Sequence, residues 1–194
     1  MEVYVYSIGE VIESSTTEFI TQCRELYSSP ALGSLVVSGS NDLVYGVVSH
    51  VTTKSLDPGR RPRVMGEGDE TEDDIYSKNP QISRLLCTEF TSIAIGYENN
   101  GDVYQYMPPH PPKIHALVSK PNSDQINRFV NTLKFVSIMI DSKFPAADET
   151  LVAFAREISL DVQDVNDFRI SLGREISRLL SADTQRLTNI LSRI

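Results

Sequence analysis

Apolar and polar positions alternate along most of the first 118 residues, a pattern typical of β-strands. The alternation predicts strands over Glu2–Ile12, Leu32–Gly39, Leu43–Thr52, Thr88–Tyr97 and Asp102–Met107. Gly-Ser-Asn-Asp separates the second strand from the third, and Asn100-Gly101 separates the fourth from the fifth. Because Asn-Gly readily adopts the positive φ angles of a tight type I′ turn, we expect two β-hairpins.

The segment LVYGVVSHV, residues 43 to 51, carries apolar residues on both of its faces. One face holds Leu43, Tyr45, Val47 and Val51, and the other holds Val44, Gly46, Val48 and His50. Such a strand is covered on both sides, as in a barrel or a sandwich. We expect the face with Val44 and Val48 to need a cover from a neighbouring subunit, and Val48→Asp to weaken assembly.

Three segments of this first part depart from strand alternation. Residues 17 to 27, TEFITQCRELY, fit helical spacing better than alternation, so both a helix and a strand stay open there. Asn79-Pro80 resembles a helix start and predicts a short inserted helix over 80–86. Residues 54 to 74 form a predicted loop that ends in the acidic run EGDETEDD, either a solvated loop or a docking site.

After Pro121 the apolar period changes to 3.6 residues, which predicts helices. Asn122 or Ser123 can cap the first helix, whose apolar stripe contains Ile126, Phe129, Val130, Leu133 and Ile140. Further helices are predicted over residues 148–158, 164–180 and 184–194. Their single apolar faces and short connections are typical of a small antiparallel bundle.

Composition is that of a globular protein, with 40% apolar and 23% charged residues, but its charge is unevenly placed. The net charge of -8 divides into -7 for residues 1–120 and -1 for residues 121–194. Nucleic-acid backbones are bound largely through Lys and Arg. Direct nucleic-acid binding by the acidic first part is therefore disfavoured.

The sequence also indicates a cytoplasmic protein. The longest apolar stretch, FVNTLKFVSIMI, is interrupted by Asn131, Thr132 and Lys134, and the N-terminal residues lack the features of a signal peptide. Cys23 and Cys87 are too few for a disulfide scaffold, so we expect both to be reduced.

Catalytic and cofactor motifs are absent from the sequence. It contains no P-loop, no dinucleotide-binding glycine pattern and no nucleophile elbow, and we expect no cofactor. His110 and His115 are separated by five residues of polyproline-like chain, roughly 15 Å, so a shared metal ion is disfavoured.

Two other groups of residues carry alternative functions. His50, Cys87 and His115 could form a small hydrolase-like site at the mouth of a barrel. Arg174 with Arg178, and Arg186 with Arg193, share helix faces. These arginines form either a solvated surface or a docking site for an acidic or phosphate-bearing partner, including nucleic acid.

The ordered features SIGEVIESSTTEFI, LGSLVVSG, LVYGVVSHVTT, IYSKNPQISRLLCTEFTSIAIGY and PPHPPKIHALV resemble the HAS-barrel family. That family provides the N-terminal barrel of HerA-type DNA-translocating ATPases and of rotary ATP synthase catalytic subunits. The resemblance covers about residues 2–120 and implies a small β-barrel over residues 1–118. With the three to four antiparallel helices that the apolar period predicts over 119–194, the expected fold class is α+β. The ATPase motor domain of that family has no counterpart in these motifs.

MPPHPPKIH, residues 107 to 115, is here called the proline segment. Proline fixes φ and lacks a backbone donor, so such a segment neither forms a helix nor extends a sheet. We interpret it as a rigid joint between the barrel and the helices. The alternative is a PxxP-type ligand for another protein's aromatic groove.

The sequence thus favours a non-catalytic adaptor that self-associates and partners a HerA-type ATPase. The candidate binding residues are Pro109, Pro111, Pro112, His115, Arg174 and Arg178. The alternatives are the hydrolase-like enzyme and the nucleic-acid binder described above.

Overall fold

Strands occupy most of the first part of the chain and helices the last part. The computed structural model describes residues 7–40, 42–66, 68, 71–141, 144 and 146–194. The strands are β1 (Gly9–Ser14), β2 (Glu18–Cys23), β3 (Leu35–Ser38), β4 (Leu43–Ser55), β5 (Leu86–Asn99), β6 (Asp102–Tyr104) and β7 (Leu117–Ser119). The helices are α1 (Glu72–Lys78), α2 (Ile82–Leu85), α3 (Ser123–Val130), α4 (Val136–Asp141), α5 (Ala147–Ile158), α6 (Val165–Leu179) and α7 (Thr184–Leu191).

Six of these strands close into an antiparallel barrel. The order around the ring is β1-β2-β5-β4-β3-β7, and β7 returns to β1. β6 lies outside the ring as the hairpin partner of β5. Its turn has Asn100 at φ 51° and Gly101 at φ 88°, which confirms the hairpin predicted from Asn-Gly. The α+β class with a β-barrel is therefore confirmed.

The inside of the barrel is one of two apolar clusters. It contains Val11, Phe19, Cys23, Val36, Val44, Val48, Phe90, Ala94 and Val118. Val48 has no exposed surface. The expectation that Val44 and Val48 face a neighbouring subunit is therefore wrong, because barrel closure turns that face of β4 inward. Val48→Asp would place a charge in the barrel interior and does not test assembly.

The outer face of β3, β4 and β5 belongs to the second cluster, which these strands share with the helices. From the barrel it takes Leu35, Val37, Tyr45, Val47, Ile93 and Ile95. From the helices it takes residues such as Phe129, Phe135, Phe154 and Leu172. The barrel and the helices are thus packed around a common core.

The N-terminal strands differ in extent from the predicted ones. β1 begins at Gly9, and residues 2–6 of the predicted strand lie outside the described residues. Residues 18–23 form β2, which decides the open question for 17–27 in favour of a strand. Phe19, Thr21 and Cys23 are buried and alternate with half-buried residues, so tertiary burial has overridden the helical spacing.

The acidic run and the short helix also differ from expectation. Glu72, Asp73 and Asp74 form the first turn of α1, whereas residues 67, 69 and 70 lie outside the described part. Thr71 and Asp74 form a capping box, and carboxylates are favourable at a helix N-terminus. The short helix predicted over 80–86 is present as the shorter α2, but Asn79 caps the end of α1 through its N–H instead of starting α2.

One predicted long helix after Pro121 is two helices, α3 and α4. Asn122 caps α3 in a capping box with Gln125, as predicted. The buried amide of Gln105, which follows β6, donates to the carbonyl of Phe129 and to that of Thr132 at 2.7 Å. It also accepts the Lys134 N–H at 2.8 Å. Gln105 thereby replaces the hydrogen bonds that a continuous helix would make here.

The helical part contains five helices among its described residues, α3 to α7, where three to four were expected. α5, α6 and α7 occupy most of the predicted spans 148–158, 164–180 and 184–194. The additional helix comes from the break at Gln105.

We expect matched Gly→Ala substitutions to have opposite effects. A Cβ at Gly46 in β4 would lie 2.8 Å from the fully buried ring of Phe19, so Gly46→Ala should destabilise the fold by about 1–3 kcal/mol. At Gly173 in α6 the nearest atom would lie 3.7 Å away, and Gly173→Ala should stabilise by about 0.5–1 kcal/mol. Urea unfolding measures both changes, and equal effects would contradict the close packing of Gly46.

Replacing Gln105 tests the break between α3 and α4. Gln105→Ala leaves buried carbonyls and an N–H without partners, and should lower the free energy of unfolding by about 1–3 kcal/mol. Gln185→Ala on the exposed face of α7 is the control, with an expected change within about 0.5 kcal/mol. Denaturant unfolding followed by circular dichroism would reveal the difference, and a neutral Gln105→Ala would refute the proposed bridging role.

Candidate functional site

The proline segment crosses one end of the barrel. It connects β6, which is paired to β5, with β7, and two strands separate β5 from β7 in either direction around the ring. The connection must therefore traverse the barrel end formed by the β1–β2 turn, the β3–β4 turn and the last residues of β5. We call this the covered end.

Hydrogen bonds attach the proline segment to β1. Ser14 Oγ donates to the Pro112 carbonyl at 2.7 Å, and the His115 N–H donates to the Val11 carbonyl at 2.8 Å. His115 has φ 66°, and its Nδ1 lies 3.1 Å from Glu10 Oε2. The left-handed backbone at His115 is held by these contacts and redirects the chain into β7.

The position of the segment corrects its interpretation as a joint. It lies before β7, the last strand of the barrel, and the chain passes to the helices only after Ser119. The short connection 120–122, which includes Pro121, takes that place. The prolines therefore stiffen a cover of the barrel end, not a joint between the barrel and the helices.

A groove of about 730 Å³ lies between the proline segment and the strand ends of the covered end. This volume falls within the range of small-molecule and peptide sites. Its walls are Ser38, Gly39, Ser40, Asp42, Leu43, Val44, Tyr97, Glu98, Asn99 and the residues from Pro108 to Leu117. The groove thus brings together Pro109, Pro111, Pro112 and His115, four of the six predicted binding residues.

Three tyrosines form an aromatic cluster beside this groove. Tyr97 stacks on Tyr104 with ring centres 5.0 Å apart, and Tyr106 packs edge-on against both at 5.7 and 5.8 Å. Tyr106 is 54% exposed and is followed by the exposed Met107. Ile114 and Leu117, in the wall of the groove, are also about half exposed. Because Tyr97 lines the groove and contacts Tyr106, half-exposed apolar residues lie both in the groove wall and beside it.

A partly exposed hydrogen-bond network fixes the wall of the groove that β5 provides. Tyr45 Oη donates to Glu98 Oε2 at 3.0 Å, and the Arg128 guanidinium donates to both Glu98 oxygens at 3.2 and 3.3 Å. Burial and the neighbouring Glu98 carboxylate raise the pKa of Tyr45, so its phenol stays protonated. The Tyr45 ring stacks on Phe129 of α3 at 4.5 Å. The helices therefore support this end of β5.

The residues of the hydrolase-like alternative bond to different neighbours. Cys87 Sγ donates to Glu89 Oε1 at 3.5 Å, and Glu89 holds Lys54 Nζ at 2.6 Å. His50 pairs with Thr91 in the sheet, four residues or about 13 Å along the strand from Cys87, and His115 contacts Glu10 on β1. A nucleophile and its base need hydrogen-bond contact, which this arrangement does not provide.

Both thiols are held in their protonated form. Burial is the main cause that raises the pKa of Cys23 to about 11, with Glu89 adding to it. Burial and the bond to Glu89 also raise the pKa of Cys87. Since the thiolate is the nucleophile, these environments are those of structural cysteines.

The four arginines singled out from the sequence are not brought to the groove, and three of them are engaged within the helical part. Arg178 pairs with Glu175 at 2.6 Å, Arg186 with Asp148 at 2.6 Å, and Arg193 with Glu149. Arg174 is exposed. Carboxylates thus neutralise most of the charge that a phosphate-bearing partner would use.

Metal-ligand clusters and membrane-spanning helices are both absent from the part of the chain that is described. No group of three or more His, Cys, Asp or Glu side chains there is arranged to hold a metal ion. None of the helices in those residues has the length and apolar character needed to cross a bilayer.

Sequence reasoning missed the tyrosine cluster and the network around Glu98. Tyr97, Tyr104 and Tyr106 flank the predicted Asn-Gly turn, so the hairpin register could have placed Tyr97 opposite Tyr104. No comparable signal links Glu98 to Arg128, because that contact depends on how α3 packs on the barrel. In comparisons with known proteins, no family model and no curated protein matches this chain.

We expect the cysteines of the native protein to resist alkylation. The Cys23 thiol has a pKa of about 11 against an ordinary 9.0, so iodoacetamide should react slowly until the pH approaches 11. Protein unfolded in guanidinium should react at both thiols near pH 9. Labelling followed by mass spectrometry measures these rates, and rapid labelling of native Cys87 at pH 7.5 would support the enzyme alternative instead.

Proposed function

We propose that this chain is a non-catalytic β-barrel adaptor that binds a partner protein at the covered end. The observation that carries the proposal is a set of half-exposed apolar residues: Ile114 and Leu117 in the wall of a groove of about 730 Å³, and Tyr106 and Met107 beside it, where Tyr106 contacts the groove residue Tyr97. Aromatic residues and methionine are enriched at protein interfaces, and contiguous exposed apolar patches often mark them.

The rigidity of this surface supports the same proposal. Proline residues restrict one side of the groove, and the bonds of Ser14 and His115 attach that side to β1. The opposite side is fixed by the bonds of Glu98 to Tyr45 and Arg128. A surface ordered before binding loses little conformational entropy when a partner docks.

The partner class that we propose is a HerA-type ring ATPase in the cytoplasm. Its support is the resemblance of the strand segments to the HAS-barrel family, together with the antiparallel barrel itself. The binding experiment below tests this partner class directly. The alternative occupant of the same surface is a second copy of this chain.

Direct nucleic-acid binding is not the function we propose. The net charge of -8 opposes a phosphate backbone, and Arg178, Arg186 and Arg193 are paired with carboxylates. An adaptor that binds a DNA-translocating motor needs no contact with DNA of its own.

The double variant Tyr106→Ser, Met107→Ser tests the docking surface. Both side chains are about half exposed, so we expect the fold to remain intact while the affinity for a purified HerA-type ATPase from the same organism falls at least about tenfold. Ile170→Ser on α6 is the control, because Ile170 is 53% exposed and lies in the helical part. Biolayer interferometry measures the affinities, and light scattering measures self-association.

The outcomes separate the two occupants. One outcome is that the chain fails to bind the ATPase and yet self-associates in a way that only the double variant abolishes. In that outcome the occupant of the surface is a second copy of this chain and not the ATPase. ATPase binding that survives the double variant, or that Ile170→Ser weakens equally, would overturn the docking surface.

A further inference from the structure

One of the residues that line the groove, Ser38, has a buried hydroxyl without a hydrogen-bond partner in the residues that the structure describes. Ser38 ends β3, has no exposed surface, and its Oγ makes no hydrogen bond within the described part of the chain. A buried hydroxyl without a partner is costly, and such a group in a native protein calls for a physical explanation.

Two other hydroxyls, of Thr21 and Ser92, also lack partners among the described residues. Both lie at central positions of their strands, Thr21 opposite Phe90 and Ser92 opposite Phe19, and neither lines the groove. Ser38 differs because it stands at the strand end below the proline segment. A ligand in the groove could therefore supply the missing partner of Ser38.

The walls of the groove select an apolar ligand. They consist largely of proline rings, Leu43, Val44, Leu117 and the Tyr97 ring. Proline and aromatic rings pack well against the flat face of an aromatic side chain, as in the recognition of proline-rich segments by aromatic grooves. The body of the ligand should accordingly be an aromatic ring.

The charges around the groove select a neutral ligand. Glu98 already bonds to Arg128 and Tyr45, and of the remaining lining residues Asp42 and Lys113 carry opposite charges. A charged ligand group would find no excess of opposite charge there to offset its desolvation.

We propose that the groove takes a tyrosine side chain of the partner protein, with its ring against the prolines and its phenol hydroxyl bonded to Ser38 Oγ. A phenol both donates and accepts a hydrogen bond, so it can satisfy Ser38 in either direction. Phenylalanine would fill the groove but leave Ser38 unsatisfied, and serine would leave the apolar walls uncovered. Since Ser38 has no exposed surface, the proposal requires a small outward displacement of the part of the proline segment that precedes its bonds to β1 at Pro112 and His115.

This inference rests on the proposed function, since it names the group by which the partner is anchored. It can nevertheless be tested with small probes that need no partner protein. N-acetyl-tyrosinamide and N-acetyl-phenylalaninamide differ by the one hydroxyl that the proposal requires.

The test is a titration of the full chain with both probes at millimolar concentration, followed by NMR. We expect the tyrosine probe to bind between about twofold and about tenfold more tightly, the range that one net hydrogen bond provides. Ser38→Ala should abolish this preference. Ser181→Ala, which removes an exposed hydroxyl in the helical part outside the groove, should preserve it.

A loss of the tyrosine preference in Ser38→Ala has to be distinguished from a loss of stability. Since the Ser38 hydroxyl has no partner, Ser38→Ala should leave the unfolding midpoint unchanged or higher, which circular dichroism checks. Equal binding of the two probes, binding of neither, or a preference that survives Ser38→Ala would each overturn the inference.

Failure of the tyrosine-probe test and failure of the ATPase-binding test can be distinguished. ATPase binding that depends on Tyr106 and Met107, without any preference for the tyrosine probe, would refute only the tyrosine anchor. A preference that depends on Ser38, without ATPase binding, would keep the groove as a tyrosine site and refute the ATPase as the partner.

Discussion

The burial of β3, β4 and β5 on both faces is the constraint on which the rest of the structure depends. Their inner residues, such as Val36, Val48 and Ala94, fill the barrel, and their outer residues, such as Val47 and Ile95, pack against the helices. A closed barrel of this length cannot cover its own outer surface, so the helices complete the core that the barrel begins. Removing either part would expose an apolar face of the other.

The covered end follows from this arrangement. The helices occupy the outer face of β3 to β5, and Gln105 bonds the chain after β6 to the turn between α3 and α4. The proline segment starts two residues later and has to reach β7 on the opposite side of the ring. A stiff segment anchored at both ends across an open barrel end leaves a groove beneath it. The groove is thus a product of topology and proline stiffness together.

Much of the fold was accessible from periodicity and turn chemistry. The Asn-Gly hairpin, the cap at Asn122 and the two apolar faces of β4 are local features, determined within a few residues, and the structure confirms them. The predictions were wrong where the structure of a segment depends on a residue far away in the chain. The hydrogen bonds of Gln105 interrupt the helix that the local sequence after Pro121 would continue. Barrel closure turns Val48 inward. Four of the predicted binding residues line the groove, but Ser38 and the tyrosine cluster were not among the predictions.

By itself, the sequence determined the fold class, the hairpins, most of the helical spans and the stiffness of residues 107–115. These properties depend on side-chain periodicity and backbone preferences. Only the tertiary structure decided which face of β4 lies inside, where the proline segment runs and which polar groups remain without partners. Those properties depend on contacts between residues far apart in the chain, such as Glu98 with Arg128 and Ser14 with Pro112. Local pattern carries no information about such contacts, since the same alternation fits either direction of burial until the barrel closes.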